Sequence, residues 1–116
     1  MLLVDTGIWI DHLRSGDAVL GRVLLAGNVL GHPMVTGELA MGSLADRIGF
    51  LTLLQRLPQA VRVSDAEVLA LVERGTLFSR GLGFVDAHLL AATLLTPDAR
   101  LWTRDKRLAD AAAELR

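Results

Sequence analysis
The chain has no cysteine and no tyrosine among its 116 residues, and only two Trp and three Phe. Without cysteine there is no disulfide, no thiolate metal site and no thiol nucleophile, and a reducing compartment, by default the cytoplasm, is the expected setting. The absence of tyrosine disfavours metal-free RNA cleavage built on that phenol. No uninterrupted apolar run approaches ~18 residues, and no charged segment precedes the short apolar start, so neither a membrane span nor a targeting segment is expected. Charge of neither sign dominates: 12 Lys+Arg stand against 13 Asp+Glu, a formal −1. That balance argues against a generic nucleic-acid binder.

Apolar residues are plentiful instead. They make up 52% of the chain, with a mean hydropathy of +0.43. The length suits one domain, residues 1–116, with a sizeable core. So much apolar content in a small chain predicts surface reserved for another chain, in an oligomer or with a protein partner. Eleven of the twelve basic residues are Arg, a bias towards planar forks that match phosphate oxygens.

Met1–Val4 is a continuous apolar run ended by Asp5-Thr6-Gly7, the pattern of a buried strand in a parallel sheet with Asp5 at its C-terminal end. Helices are predicted over Ile8–Arg14 and Asp17–Ala26, the second capped by Asp17 and stopped by Gly27-Asn28. Val29–Val35 reads as a weaker strand, interrupted by Gly31 and Pro33. Leu39, Leu44, Ile48, Leu51 and Leu54 suggest helix from Thr36 to Arg56, bent or divided at Gly42 or Gly49. Ala60–Val63 is a short strand candidate, and Ser64-Asp65-Ala66-Glu67 has the form of a capping box that opens a helix towards Phe78. Beyond Gly81-Leu82-Gly83, a helix over Val85–Leu95, a strand over Ala99–Thr103 and a helix over Lys106–Leu115 complete the order β-α-α-β-α-β-α-α-β-α. Such alternation implies a mostly parallel sheet covered on both faces, with ligands beyond the strands' C-terminal ends.

Four acids stand in settings too apolar for idle surface charges. Asp5 and Asp105 each follow a predicted strand and precede a helix, where an Asp serves as helix cap or as ligand, the cap being the commoner role for Asp105. Asp86 shares a helical face with Leu89, Leu90, Thr93 and Leu94, near a helix start where the dipole favours an anion. A salt bridge to an Arg is its alternative role. Glu38 shares a face with Met41, Gly42 and Ala45, and a solvated first-turn Glu is the other reading. Together the four suggest a metal-binding phosphodiesterase site. Two carboxylates ~5 Å apart repel by roughly 3 kcal/mol at an effective dielectric of 20, so a cluster calls for cations or shared protons. Oxygen-only ligands select Mg²⁺ or Mn²⁺ over zinc. Setting those four acids aside leaves 12 bases against 9 acids, a formal +3, so a polyanion is still able to dock at the metals.

His12, His32 and His88 form no helical ligand pair, and a paired-histidine mechanism would need partners that the sequence does not advertise. The five aromatics lie mostly in apolar surroundings and are expected in the core, not as base-stacking platforms. Gly81-Leu82-Gly83 is a fragment of a phosphate-loop pattern and is read as an ordinary helix-to-helix loop. Arg80, Arg14, Arg104, Lys106 and Arg107 are candidate phosphate contacts at the rim, with solvated cations as the other reading.

Four segments in order, Leu3-Val4-Asp5-Thr6-Gly7-Ile8-Trp9-Ile10-Asp11, Thr36-Gly37-Glu38-Leu39, Gly83-Phe84-Val85-Asp86-Ala87-His88-Leu89-Leu90-Ala91-Ala92 and Thr103-Arg104-Asp105-Lys106-Arg107-Leu108, resemble the PIN-domain ribonucleases, specifically the VapC-type toxins of bacterial toxin-antitoxin pairs. The resemblance spans nearly the whole chain. It implies an α/β, PIN-like three-layer sandwich with a mostly parallel sheet of four to five strands flanked by helices. It also implies Mg²⁺ or Mn²⁺ held by Asp5, Glu38, Asp86 and Asp105, RNA hydrolysis by metal-activated water, and supporting hydroxyls at Thr6 and Thr103. A homodimer and a cognate VapB-like antitoxin follow from the same resemblance. Two departures carry expectations of their own: the stretch between Glu38 and Asp86 is short, which predicts trimmed helices around the RNA groove, and Glu114-Leu115-Arg116 ends where relatives continue into a last strand.

Two other functional classes stay open at this point. A non-catalytic PIN-like module would bind RNA or protein without cleaving. A phosphoryl-accepting receiver domain shares the length, the α/β order and an acidic metal site, but would place paired acids after the first strand and a Lys at the end of a late strand, whereas Asp5 is followed by Thr6 and Lys106 follows Asp105.

Overall fold
The computed structural model describes residues 1–115. Its centre is β1 (Leu2–Val4), which pairs in parallel with β2 (Val29–Leu30) on one side and β3 (Arg100–Trp102) on the other. The strand order is β2-β1-β3, and Leu3 and Val4 have no exposed surface. A central strand buried on both faces explains the unbroken apolar run at the start of the sequence.

Seven helices flank the sheet among the described residues: α1 (Thr6–Ser15), α2 (Ala18–Leu25), α3 (Pro33–Ala40), α4 (Arg47–Arg56), α5 (Asp65–Arg74), α6 (Phe84–Leu95) and α7 (Lys106–Glu114). Their starts follow local chemistry. Asp17, Asp46 and Ser64 accept hydrogen bonds from Leu20, Gly49 and Glu67 main-chain N–H groups, and Ser64 and Glu67 form the reciprocal capping box.

α6 joins two apolar clusters. Leu89 and Ala92 pack with Leu3, Val4, Ile8, Trp9 and Leu54, while Leu90 and Ala91 pack with Val68, Leu108 and Ala111. A fully buried leucine such as Leu89 or Leu108 contributes about 1.5–3 kcal/mol through removal of its surface from water. This helix is therefore held on two sides, which fixes the carboxylate of Asp86 in its first turn.

Two strand expectations are corrected, and the expected division of the helix over Thr36–Arg56 is found at Gly42. The strand over Val29–Val35 stops at Leu30, because Pro33 has no N–H to give a ladder and instead occupies the first turn of α3. The helix over Thr36–Arg56 divides into α3 and α4, with Met41–Asp46 between them, a break that falls at Gly42 and leaves Gly49 inside α4. Ala60–Val63 forms no strand. Only a parallel bridge, Gly31 to Gln59, is made there, since the Val61 N–H turns to the Thr96 hydroxyl at 2.9 Å and Ser64 then opens α5. Gly31 belongs at that bridge: an added Cβ would meet the Gln59 side chain and stand 3.0 Å from the Leu54 carbonyl.

The helix predicted to run towards Phe78 ends at Arg74, capped at Gly75 and followed by Thr76 and Ser79 with positive φ. Among the described residues, no helix is long and apolar enough to cross a membrane.

Candidate active site
Parallel strands bring their C-terminal ends to one edge, and the chain emerging there carries Asp5 after β1 and Thr103 after β3. Both readings of Asp5 hold at once. As the N-cap of α1 it accepts the Thr6 N–H on Oδ1 at 2.8 Å, and its Oδ2 accepts the Thr103 hydroxyl at 2.7 Å. The Thr6 hydroxyl, in turn, donates to Glu38 Oε1 at 2.7 Å. Thr103 Oγ1 also accepts the Asp105 N–H at 3.1 Å, while Asp105 Oδ1 caps α7 through the Arg107 and Leu108 N–H groups.

Two threonines thus link the segments that carry Asp5, Glu38 and Asp105. Residues 98 and 32 apart in sequence are joined by these hydroxyls, and since each bonded carboxylate oxygen accepts one hydrogen bond, unused lone pairs remain on both carboxylates. Asp86 stands outside this chain of bonds. Its Oδ2 accepts the Gly83 N–H at 2.8 Å, so it closes the start of α6, and it forms no ion pair with an Arg among the described residues.

All four donors are carboxylates, a set suited to a hard divalent cation. Glu38 Oε2, Asp86 Oδ1 and Asp105 Oδ2 accept no hydrogen bond among the described residues. In this conformation no three acid or histidine side chains among the described residues stand close enough to ligate one ion.

The basic candidates differ in their ties. Arg80 forms a fork on Glu114, at 2.7 and 3.1 Å; the hydrogen bond to Glu114 raises its pKa above the ordinary guanidinium value. Arg104 bridges Asp11 and Asp17, the latter at 2.9 Å. Asp17 is held below the usual carboxylate range, first by the Leu20 N–H and further by Val19 and Arg104, against burial. Lys106 lies 3.4 Å from Asp110, and Arg107 lies 3.6 Å from Asp105. Arg14 is exposed, without an ion pair among the described residues, in a groove of about 340 Å³ that also contains Glu38, Ile10 and Leu13.

Sequence reasoning passed over a second polar group. His32 and His88 are both 4% exposed, and their ring centroids lie 6.4 Å apart. His32 caps α3 by accepting the Met34 N–H on Nδ1 at 3.0 Å. Burial pushes its pKa down to about 4, helped by His88 and Arg62. His88 Nε2 pairs with Asp65 Oδ1 at 2.8 Å. With Arg62 these residues line a cleft of about 310 Å³. His-Pro before a helix was the available signal, since Ncap and N1 are favoured by a side-chain acceptor and by proline.

The aromatic expectation is corrected in part. Trp9 is buried, edge-on to Phe50 at 5.8 Å, but Phe78 and Phe84 are 50% and 44% exposed. Phe84 begins α6 and Phe78 lies in the turn before it, so neither reaches the interior of the apolar clusters. Phe84 meets the His88 ring edge-on at 4.8 Å.

Comparison with known proteins places relatives beside this geometry. The chain is 52% identical over 114 residues to a protein called ribonuclease VapC32 in Mycobacterium tuberculosis, covering 98% of this chain and 92% of the relative. The same values hold for the protein of that name in a second strain. No family model matches the chain, and no solved structure matches it.

Proposed function
The chain belongs to the VapC ribonuclease family, and from that premise we propose that it is a Mg²⁺- or Mn²⁺-dependent endoribonuclease, the toxin of a toxin-antitoxin pair. Asp5, Glu38, Asp86 and Asp105 are the proposed ligands. The observation that carries the reading is the pair of hydroxyl links, Thr103 to Asp5 and Thr6 to Glu38. They orient the carboxylates of Asp5 and Glu38, from two separate segments, at the edge where a parallel sheet presents its ligands.

A bound divalent cation supplies Lewis acidity there, lowering the pKa of water and offsetting charge on the phosphate. The protein's own part is orientation. Thr6 and Thr103 fix the rotamers of Glu38 and Asp5, and the capping bonds of Asp86 and Asp105 hold their free oxygens on rigid helix starts. Arg14, in the groove beside Glu38, is placed to take a non-scissile phosphate. Arg80, Arg104 and Lys106 would have to exchange their present carboxylate partners for phosphate.

The finer PIN-like description, a three-layer sandwich of four to five strands, belongs to the same proposal. The Gly31 to Gln59 bridge supports it by extending the sheet beyond β2. A homodimer and a cognate VapB-like antitoxin suit the exposed Leu25, Met41 and Ile48, which are 92%, 88% and 82% exposed. A cytoplasmic location fits the lack of cysteine. Family membership leaves the receiver-domain alternative without support.

The test is cleavage of end-labelled total RNA by purified protein with Mg²⁺ or Mn²⁺, beside EDTA, Asp86→Asn and Thr103→Val. Discrete fragments that need metal and Asp86 are expected, with Thr103→Val slowed by roughly 10–100-fold through loss of carboxylate orientation. Cleavage that survives EDTA in the Asp86→Asn protein would overturn the mechanism. Inert but folded wild-type protein with metal bound would instead favour the non-catalytic module.

A further inference from the structure
The cleft between the starts of α3 and α5 has a donor side and an acceptor side. His32 Nδ1 takes the Met34 N–H, so the neutral ring carries its proton on Nε2, which makes no hydrogen bond among the described residues. Although His32 is only 4% exposed, it lines the cleft. No fully buried side-chain nitrogen is left unpartnered among the described residues, so this N–H is open to solvent and to whatever enters the cleft. Arg62, exposed at the mouth, adds a planar guanidinium without an ion pair among the described residues.

The acceptor is Asp65. Its Oδ1 is engaged by His88, while Oδ2 accepts nothing among the described residues and the side chain is 75% exposed. The Ser64 hydroxyl is already committed to the capping box. Phe84 stands half-exposed against the His88 ring, outside the lining of the cleft.

A phosphate would meet the donors but also the Asp65 carboxylate, whereas a nucleobase edge presents both polarities. We propose that this cleft receives an unstacked guanine of the RNA, with the Asp65 carboxylate accepting from the N1 and N2 amino edge and the His32 and Arg62 donors meeting O6 or N7. Guanine has two adjacent N–H donors opposite a pair of acceptors. Adenine and cytosine place an acceptor nitrogen next to the amino group, which would face the carboxylate, and uracil sets its single N–H between two carbonyls.

The location ties this cleft to the acidic edge. His32 caps the helix that carries Glu38 six residues later, about 9 Å along the axis, and His88 follows Asp86 by two residues on α6. The inference rests on the ribonuclease reading for its substrate: the guanine would belong to a nucleotide near the scissile bond and set sequence preference.

Two measurements separate it from that reading. Histidine side-chain NMR signals would be followed while GMP, AMP, CMP, UMP or inorganic phosphate is added to the folded protein. GMP alone is expected to move the His32 and His88 signals, and Asp65→Asn to weaken that response by about tenfold or more. Equal shifts with all nucleotides, shifts with phosphate alone, or none, would overturn the pocket. Cleavage of a randomised RNA should likewise show guanine enriched at one fixed position near the cut. Cleavage with neither enrichment nor a GMP response removes the guanine pocket and leaves the nuclease standing. A specific GMP response in metal-loaded protein that cuts no RNA supports the pocket and removes the nuclease.

Discussion
His32 couples the fold to pH through one ring nitrogen. Its Nδ1 must stay unprotonated to accept the Met34 N–H, and burial, with His88 and Arg62 nearby, lowers the pKa from 6.5 to about 4. The unfolded chain takes up this proton near pH 6.5 and the folded chain only near 4, so between those values the unfolded state binds more protons. Stability from this group is complete above pH 6.5 and is lost as pH falls towards 4, by on the order of 3 kcal/mol. His32→Asn keeps a capping acceptor without titrating. Urea unfolding at pH 7 and pH 4.5 should therefore show a smaller acid loss for the variant, and equal losses in the two proteins would show that His32 does not titrate as described. The same residue marks the limit of sequence reading. Asp5, Asp86 and Asp105 stand out as candidates by their place at strand ends and helix starts. Thr6 and Thr103 are suggested by the family resemblance alone, and Glu38, expected near a helix start, lies in the second half of α3. His32, Asp65 and His88 are brought together only by the packing of α3, α5 and α6, and no local spacing encodes that meeting.

Helix starts were more legible than strands because a cap is a local bargain between neighbours. Ser64 and Glu67, three residues apart, exchange main-chain and side-chain bonds, and Asp17 does half of the same work for α2. A strand needs a partner from elsewhere. Val61 has the right side chain for β structure, yet its N–H finds the Thr96 hydroxyl 35 residues away, which ends the pairing begun at Gln59. Pro33 misled in the opposite direction, since a residue that weakens a strand is favourable at the first helical position. The capping box of α5 can be tested directly. Ser64→Ala should cost about 1 kcal/mol in urea unfolding, seen as a lower midpoint with an unchanged m-value. No change would mean that the tertiary packing of Val68 and Leu71 holds this helix without its cap.

Composition foretold two properties of the assembled molecule, an apolar surplus and a charge balance that hides a local excess. Leu25, Met41 and Ile48 carry the first on the surface. The second has a thermodynamic consequence for the proposed metal site. The four acids bring four formal negative charges to a chain whose total is −1, and no cation of the protein pairs with Glu38 or Asp86 among the described residues. An ion that binds only the folded state adds RT ln(1 + [L]/Kd), about 2.7 kcal/mol at a hundred times its dissociation constant. Thermal unfolding with Mg²⁺ or Mn²⁺ should therefore rise by roughly 8–15 °C over the EDTA-treated protein. Asp86→Asn keeps an oxygen that can accept the Gly83 N–H but removes a charge, so it should unfold near the wild-type temperature in EDTA while losing most of the rise. A full rise in that variant would place the ion away from Asp86, and a rise produced equally by monovalent salt at matched ionic strength would reduce the effect to screening.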